Sequence, residues 1–253
     1  MLAHRRTGSG PPLVLLHGIG LDRWCWEPLR PFLERSRDVI AVDMPGFGES
    51  PAGRQSVPGL ADAVAALARA LGLERYHVAG NSLGGGVALE LGARGEAGSV
   101  CALSPIGFAA GRERAYAEQA LVTIRRLAQL IDPAAGAVYG GPVRRTLAMS
   151  LIYARPWRVP ATDAAHMNHA TAGAPGFAAT LPEVGDWRPA MPTCPTTIAW
   201  AERDRLLITS RQAPRAERWL PAARHIRLRG CGHVPMWDDP EQVAHALLRA
   251  SGD

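Results

Sequence analysis

Gly80-Asn81-Ser82-Leu83-Gly84, followed by Gly85 and Gly86, is the stretch around which the chain reads. The apolar run Tyr76-His77-Val78-Ala79 leads into it, and Val87-Ala88-Leu89-Glu90-Leu91 leaves it with helical character. A strand that turns into a helix within one residue forces that residue, Ser82, into a strained backbone geometry. Side chains two positions away on either side would clash, which glycine avoids. Such a turn lifts the serine hydroxyl to the top of a sheet and leaves the N–H of Leu83 at a helix N-terminus, facing any developing negative charge. Alone, the pattern suits a glycine-rich turn with a harmless serine equally well. The rest of the chain decides between the two.

Working outward, the flanking sequence alternates between strands and helices. Leu13-Val14-Leu15-Leu16 and Val39-Ile40-Ala41-Val42 are continuous apolar runs, as strands buried on both faces require, and Val100-Cys101-Ala102-Leu103 is a third. The first ends in His17-Gly18-Ile19-Gly20; the second ends in the turn-rich Asp43-Met44-Pro45-Gly46-Phe47-Gly48-Glu49-Ser50. An edge strand is expected over Leu2–Arg6, a helix from Trp24 to Arg35, and an amphipathic helix over 57–71 stopped by Gly72. From Ile106 to Glu183 the rhythm breaks. Ala117, Leu121, Ile124, Ala128 and Ile131 form one helical stripe, Val143, Leu147 and Leu151 a second, and residues 161–172 a third helix, with no strand evident. Alternation then resumes with strands at 196–200 and 225–228, a helix over 209–220, and a last helix introduced by Asp239, Pro240 and Gln242 as N-cap, first residue and capping partner. The expectation is an α/β chain with a doubly wound, mostly parallel sheet of about seven strands. Its core comprises 1–105 and 184–253, and 106–183 is inserted as a helical cap or lid.

Composition narrows the class. The 253 residues carry a formal charge of +5, and every basic residue is arginine. Arginines spread through helices without interleaved aromatics argue against nucleic acid as a partner. No apolar run is long enough to span a bilayer, and the N-terminal residues lack the apolar centre of a secretion signal, so a cytoplasmic protein without membrane attachment is expected. Cys25, Cys101, Cys194 and Cys231 are scattered and show no metal-type pairing, so no metal is expected.

A serine nucleophile needs a base within hydrogen-bond reach and an acid that orients the base. His233, in Gly230-Cys231-Gly232-His233-Val234-Pro235 after the final strand, is placed to swing over Ser82. His77 and His225 lie in or at strands, His245 lies on the terminal helix, His4 has no neighbouring signal, and His17 reads as a brace for the following loop. Asp204 follows the strand at 196–200 and is the candidate acid, with Glu202 as its local competitor. Asp238 and Asp239 read as helix-capping residues and Asp43 as a loop stabiliser. The chain order is serine, acid, histidine.

These features together resemble the α/β-hydrolase fold superfamily over essentially the whole chain: His17-Gly18, the Asp43–Ser50 loop, the Ser82 elbow, the Asp204 loop and Gly232-His233-Val234-Pro235. The resemblance implies a Ser82, Asp204, His233 triad, an oxyanion hole formed by the backbone N–H groups of Ile19 and Leu83, an acyl-enzyme, and no cofactor. Two departures stand out. The N-terminus lacks room for the family's usual first strand, hence about seven strands rather than eight. Asn81 is similar to the residue found in hydrolases that cleave carbon–carbon bonds of ring-fission products, but those often carry tryptophan directly after the histidine, where Val234 stands here.

The substrate expected is a small molecule with an apolar portion. Asn81, Trp24, Met149, Trp157, Val234 and Trp237 are candidate pocket residues. The cap arginines, among them Arg112, Arg114 and Arg125, read chiefly as solvated, and His166 and His169 as an exposed helix face. The leading function is a serine hydrolase of a carboxylic ester, lactone or thioester. Carbon–carbon bond hydrolysis, a lyase or cyclase using His233 as base, and a ligand-binding receptor are the alternatives.

Overall fold

The computed structural model describes residues 1–252. Its sheet comprises β1 (His4–Gly8), β2 (Pro12–Leu16), β3 (Asp38–Val42), β4 (His77–Asn81), β5 (Ser99–Leu103), β6 (Thr196–Ala201) and β7 (Arg224–Leu228). These form a 7-stranded sheet in the order β1-β3-β2-β4-β5-β6-β7. Only β1 runs antiparallel, pairing Arg6 with Ile40; the other pairings are parallel. The edge strand starts two residues later than the sequence suggests, because its register is set by pairing with β3 rather than by its own apolar residues.

Both faces of the sheet are covered, which is why the inner strands read as continuous apolar runs. Val14, Leu16, Ile40, Val42 and Val78 pack on one side with α2 (Val57–Ala70), α3 (Leu83–Ala93) and α9 (Thr209–Trp219). Leu13, Leu15, Val39 and Ala79 pack on the other with α1 (Arg30–Leu33) and α10 (Pro240–Ala250). The helix expected over 24–35 is instead a 3-10 helix, Arg23–Leu29, followed by the short α1. Pro28 and Pro31 each remove a backbone donor that a continuous α-helix needs.

Between β5 and β6 the chain forms α4 (Arg112–Ile131), α5 (Ala135–Gly140), α6 (Pro142–Met149), α7 (Ala161–Gly173) and α8 (Gly176–Val184). Of these, α5 carries too few apolar residues in register to announce itself; α8 places Phe177, Leu181 and Val184 on one face, but Pro182 interrupts the pattern. Among the described residues, no helix is long and apolar enough to cross a membrane.

Candidate active site

The parallel register aligns the carboxyl ends of five strands. Leu16 pairs with Gly80, Asn81 with Leu103, Leu103 with Ala199 and Ala201 with Leu228. The loops that leave these ends therefore meet along one edge, and they carry His17, Ser82, Ser104, Asp204 and His233.

Ser82 has φ 56° and ψ −113°, a left-handed geometry that a residue with a side chain adopts only under constraint. The constraint is visible. Ser82 N–H donates to Leu103 O at 2.9 Å, and Ser82 O accepts from Gly86 and Ile106 N–H at 3.0 and 3.2 Å. A Cβ at Gly80 would lie 2.0 Å from Gly84 O, and one at Gly84 would lie 2.2 Å from Leu16 O. The close approach needs glycine at both positions. Gly84 N–H donates to His17 O at 3.1 Å, which holds the His17-Gly18-Ile19 loop against the start of α3. Leu83 opens that helix, so its N–H is one of the donors without an intrahelical acceptor.

His233 is 3% exposed, and its Nδ1 lies 2.7 Å from Asp204 Oδ2. The other Asp204 oxygen accepts from the N–H groups of Leu206 and Leu207 at 2.9 and 2.8 Å. Burial pushes the Asp204 pKa up, but the charge and hydrogen bond of His233 and those two N–H groups outweigh it and hold the carboxyl below its ordinary value. A carboxylate bound to Nδ1 fixes the imidazole with Nε2 as its basic nitrogen. Glu202, the competitor, instead accepts from Gly230 N–H at 2.7 Å and ties β6 to the loop after β7.

Asn81 is fully buried beneath the elbow. Its Nδ2 donates to Leu103 O at 3.2 Å and to His233 O at 2.9 Å, so it braces the histidine loop. His17 does brace its surroundings: Nδ1 donates to Gly18 O at 2.8 Å and Nε2 accepts from Met44 N–H at 3.0 Å. Burial lowers its pKa, consistent with the neutral ring this arrangement requires. Asp43 accepts from the backbone and guanidinium of Arg23 and from Glu49 N–H, stabilising its loop.

Asp238 departs from its reading as a helix cap. Asp239 alone caps α10, accepting from Gln242 N–H. Asp238 is fully buried and accepts from Ala154, Arg155 and Gly232 N–H at 3.0, 2.6 and 2.7 Å. It clamps the segment between α6 and α7 to the loop that carries His233. Burial pushes its pKa up against the pull of these donors. His166 is likewise more than an exposed residue: its Nε2 meets Asp22 Oδ2 at 2.7 Å, joining α7 to the loop after β2, and His169 meets Asp132 at 3.0 Å.

Two cavities, of about 70 and 60 Å³, share Ile19, Ser82, Leu121 and Leu206 as walls. Asn81, His233 and Val234 complete one side of the second. A third, of about 130 Å³, shares Leu21, Ile124, Ile152 and Thr171 with the second and is lined further by Met149. The apolar stripe of α4 thus faces the space above Ser82. Trp24 lies elsewhere, in a cleft with Asp22 and His166. Trp157 is 58% exposed, and Trp237 packs against the core beside α10. None of these three tryptophans is among the walls of the cavities beside Ser82, because size and apolarity do not say which way a side chain faces. Arg114 does line the first cavity, paired with Glu118 and Asp186, and Arg125 sits 5.0 Å from the centre of the Phe177 ring. All four cysteines are free; Cys101 is buried and Cys194 half-buried. Among the described residues, no group of three or more histidine, cysteine or acidic side chains is arranged to hold a metal ion.

The chain is similar to known proteins in sequence and in fold. Over 272 residues the chain is 31% identical to an uncharacterized protein of Mycobacterium tuberculosis, covering 98% of this chain and 77% of that one. It is 45% identical over 89 residues to the pimeloyl-[acyl-carrier protein] methyl ester esterase of Aeromonas hydrophila, 34% of each chain. The fold is shared with the enol-lactonase of Burkholderia xenovorans LB400, with a TM-score of 0.74 at 19% identity over 100% of this chain and 96% of that one. A sequence model described as the alpha/beta hydrolase family matches residues 13–246. The chain belongs to the alpha/beta hydrolase family.

Proposed function

We propose that the protein is a serine hydrolase that cleaves a carboxylic ester, lactone or thioester of a partly apolar small molecule. The observation that carries this reading is the buried Asp204–His233 hydrogen bond beside a cavity that the strained Ser82 and His233 both line. His233 Nε2 takes the Ser82 proton as the hydroxyl attacks the carbonyl carbon. The oxyanion is held by the N–H groups of Leu83 and Ile19, with the dipole of α3 behind the first. His233 then protonates the leaving group, and a water activated by the same nitrogen releases the acid. Asp204 keeps the ring in the required tautomer and stabilises its charged form throughout.

The similarity to an esterase and an enol-lactonase supports this bond class. Asn81 has a structural reason in its bonds to Leu103 O and His233 O, so the asparagine calls for no carbon–carbon chemistry. The apolar side walls formed by Leu121, Ile124 and Ile152 support a hydrocarbon portion in the substrate. Hydrolysis of p-nitrophenyl esters of graded acyl length, beside Ser82→Ala, tests the reading. The wild type should turn over at least one ester, with the mutant slower by several orders of magnitude. No turnover of any ester, or a mutant that matches the wild type, would overturn it.

A further inference from the structure

Gln212 lies in the first turns of α9, the helix that follows the Asp204 loop. Its residue is only 1% exposed, and neither its amide oxygen nor its amide nitrogen has a hydrogen-bond partner within the protein. Buried amides are almost always paired, so an orphan needs a reason. Gln212 lines the same cavity as Ser82 and Leu83, among the apolar side chains of Ile106, Val184 and Leu207. Packing alone would be served as well by leucine there.

The other polar groups facing this cavity are accounted for. Arg114 pairs with Glu118 and Asp186, and Arg188 donates to the carbonyl oxygens of Gly185 and Trp187. The unmatched group is one acceptor and one NH₂ held side by side in a plane. A carboxylate or ketone would satisfy the NH₂ and leave Oε1 unpaired. A primary amide satisfies both at once, its carbonyl accepting from Nε2 and the N–H on the same side donating to Oε1.

We propose that Gln212 is a substrate-recognition residue whose side-chain amide pairs with a primary amide, –CO–NH₂, of the ester bound against Ser82. This rests on the hydrolase reading above and narrows its substrate class to esters or thioesters that carry a primary amide on one side of the scissile carbonyl. The second cavity then takes the hydrocarbon portion.

The test uses twin esters that differ only in NH₂ against CH₃: a terminal carboxamide, –CO–NH₂, and its methyl-ketone isostere, –CO–CH₃. One pair carries the group in the acyl chain and a second pair in the alcohol. The wild type should favour the amide over the ketone in kcat/KM by about tenfold or more in one pair, since the ketone leaves Oε1 unpaired. In Gln212→Leu that ratio should fall to about one. The same substitution should not lower Tm, because it replaces an unpaired buried amide by an apolar group. A ratio near one in both pairs would overturn the proposal. So would a ratio that Gln212→Leu leaves unchanged, or a Tm loss without a change in ratio, which would mark Gln212 as structural. Calorimetric titration of the twins into Ser82→Ala, with and without Gln212→Leu, reads the same ratio as affinity. An enzyme inert to every ester would then sink the hydrolase reading, while the affinity ratio still decides the role of Gln212.

Discussion

Replacing Asp238 by alanine removes a buried carboxylate that joins the helical segment to the loop bearing His233. The structure sets the size of the effect. Three backbone N–H groups lose their acceptor: Gly232, which is buried, and Ala154 and Arg155, which are half-buried. An orphaned buried donor costs about 1–3 kcal/mol, and water recovers part of the loss at the other two, leaving roughly 0.5–1.5 kcal/mol each. The sum is about 4 kcal/mol, a large share of the ~5–15 kcal/mol that holds a typical fold together. For a chain of this length that lowers Tm by about 10 °C. Asp238→Asn should recover only part, since its NH₂ must face one of the donors. Because Gly232 adjoins His233, kcat should fall more than KM rises. Calorimetric melting and ester kinetics on the two variants read both effects. A Tm within about 2 °C of wild type, with unchanged kcat, would refute the reasoning.

Asp204→Asn places an NH₂ where His233 Nδ1 needs an acceptor and so selects the wrong tautomer; kcat should drop about 10⁴-fold with little change in KM, and a drop under tenfold in steady-state assays would argue against the arrangement. Asn81→Ala leaves His233 O without its donor and Leu103 O with only the Ser82 N–H, and should lower stability by about 1–3 kcal/mol in denaturant titrations; a wild-type midpoint would contradict the bracing role. The Asp22–His166 bridge should act in a defined pH window. Its hydrogen bond to Asp22 raises the His166 pKa, so that contribution is full below 6.5 and is lost as pH rises through the raised value. Burial pushes Asp22 up, but His166 outweighs it and lowers the Asp22 pKa, so that contribution is full above 3.8 and is lost as pH falls through the lowered value. The stability difference between wild type and His166→Ala should therefore be largest near pH 5 and shrink above pH 7, and a difference independent of pH would rule the bridge out.

The inner strands were legible because burial on both faces leaves nothing polar in runs such as Leu13–Leu16 and Val39–Val42, too short for helices and bounded by turn residues. Ser82, Asp204 and His233 were legible for a related reason. A parallel sheet delivers strand ends to one edge, so polar residues just beyond apolar runs are candidates before any contact is known. What failed depends on tertiary direction. Trp24, Trp157 and Trp237 are not among the walls of the cavity beside Ser82 and His233, while Leu121 and Ile124, ordinary members of a helical stripe, are. Asp238 looked like a second capping residue because its three partners lie up to 84 positions away. Gln212 carried no signal at all: only the walls around it show an amide without partners. The proline-interrupted segment from Arg23 to Leu33 shows the converse, since Pro28 and Pro31 were local warnings against a single helix.

The proposed mechanism passes through a covalent intermediate at Ser82. Acid-quenching the protein during turnover of a p-nitrophenyl ester, then weighing the intact chain and its Ser82-containing peptide, tests this most directly. The chain should gain the mass of one acyl group, mapped to Ser82 and absent from Ser82→Ala. Turnover with no adduct, or with an adduct on another residue that survives in Ser82→Ala, would contradict it.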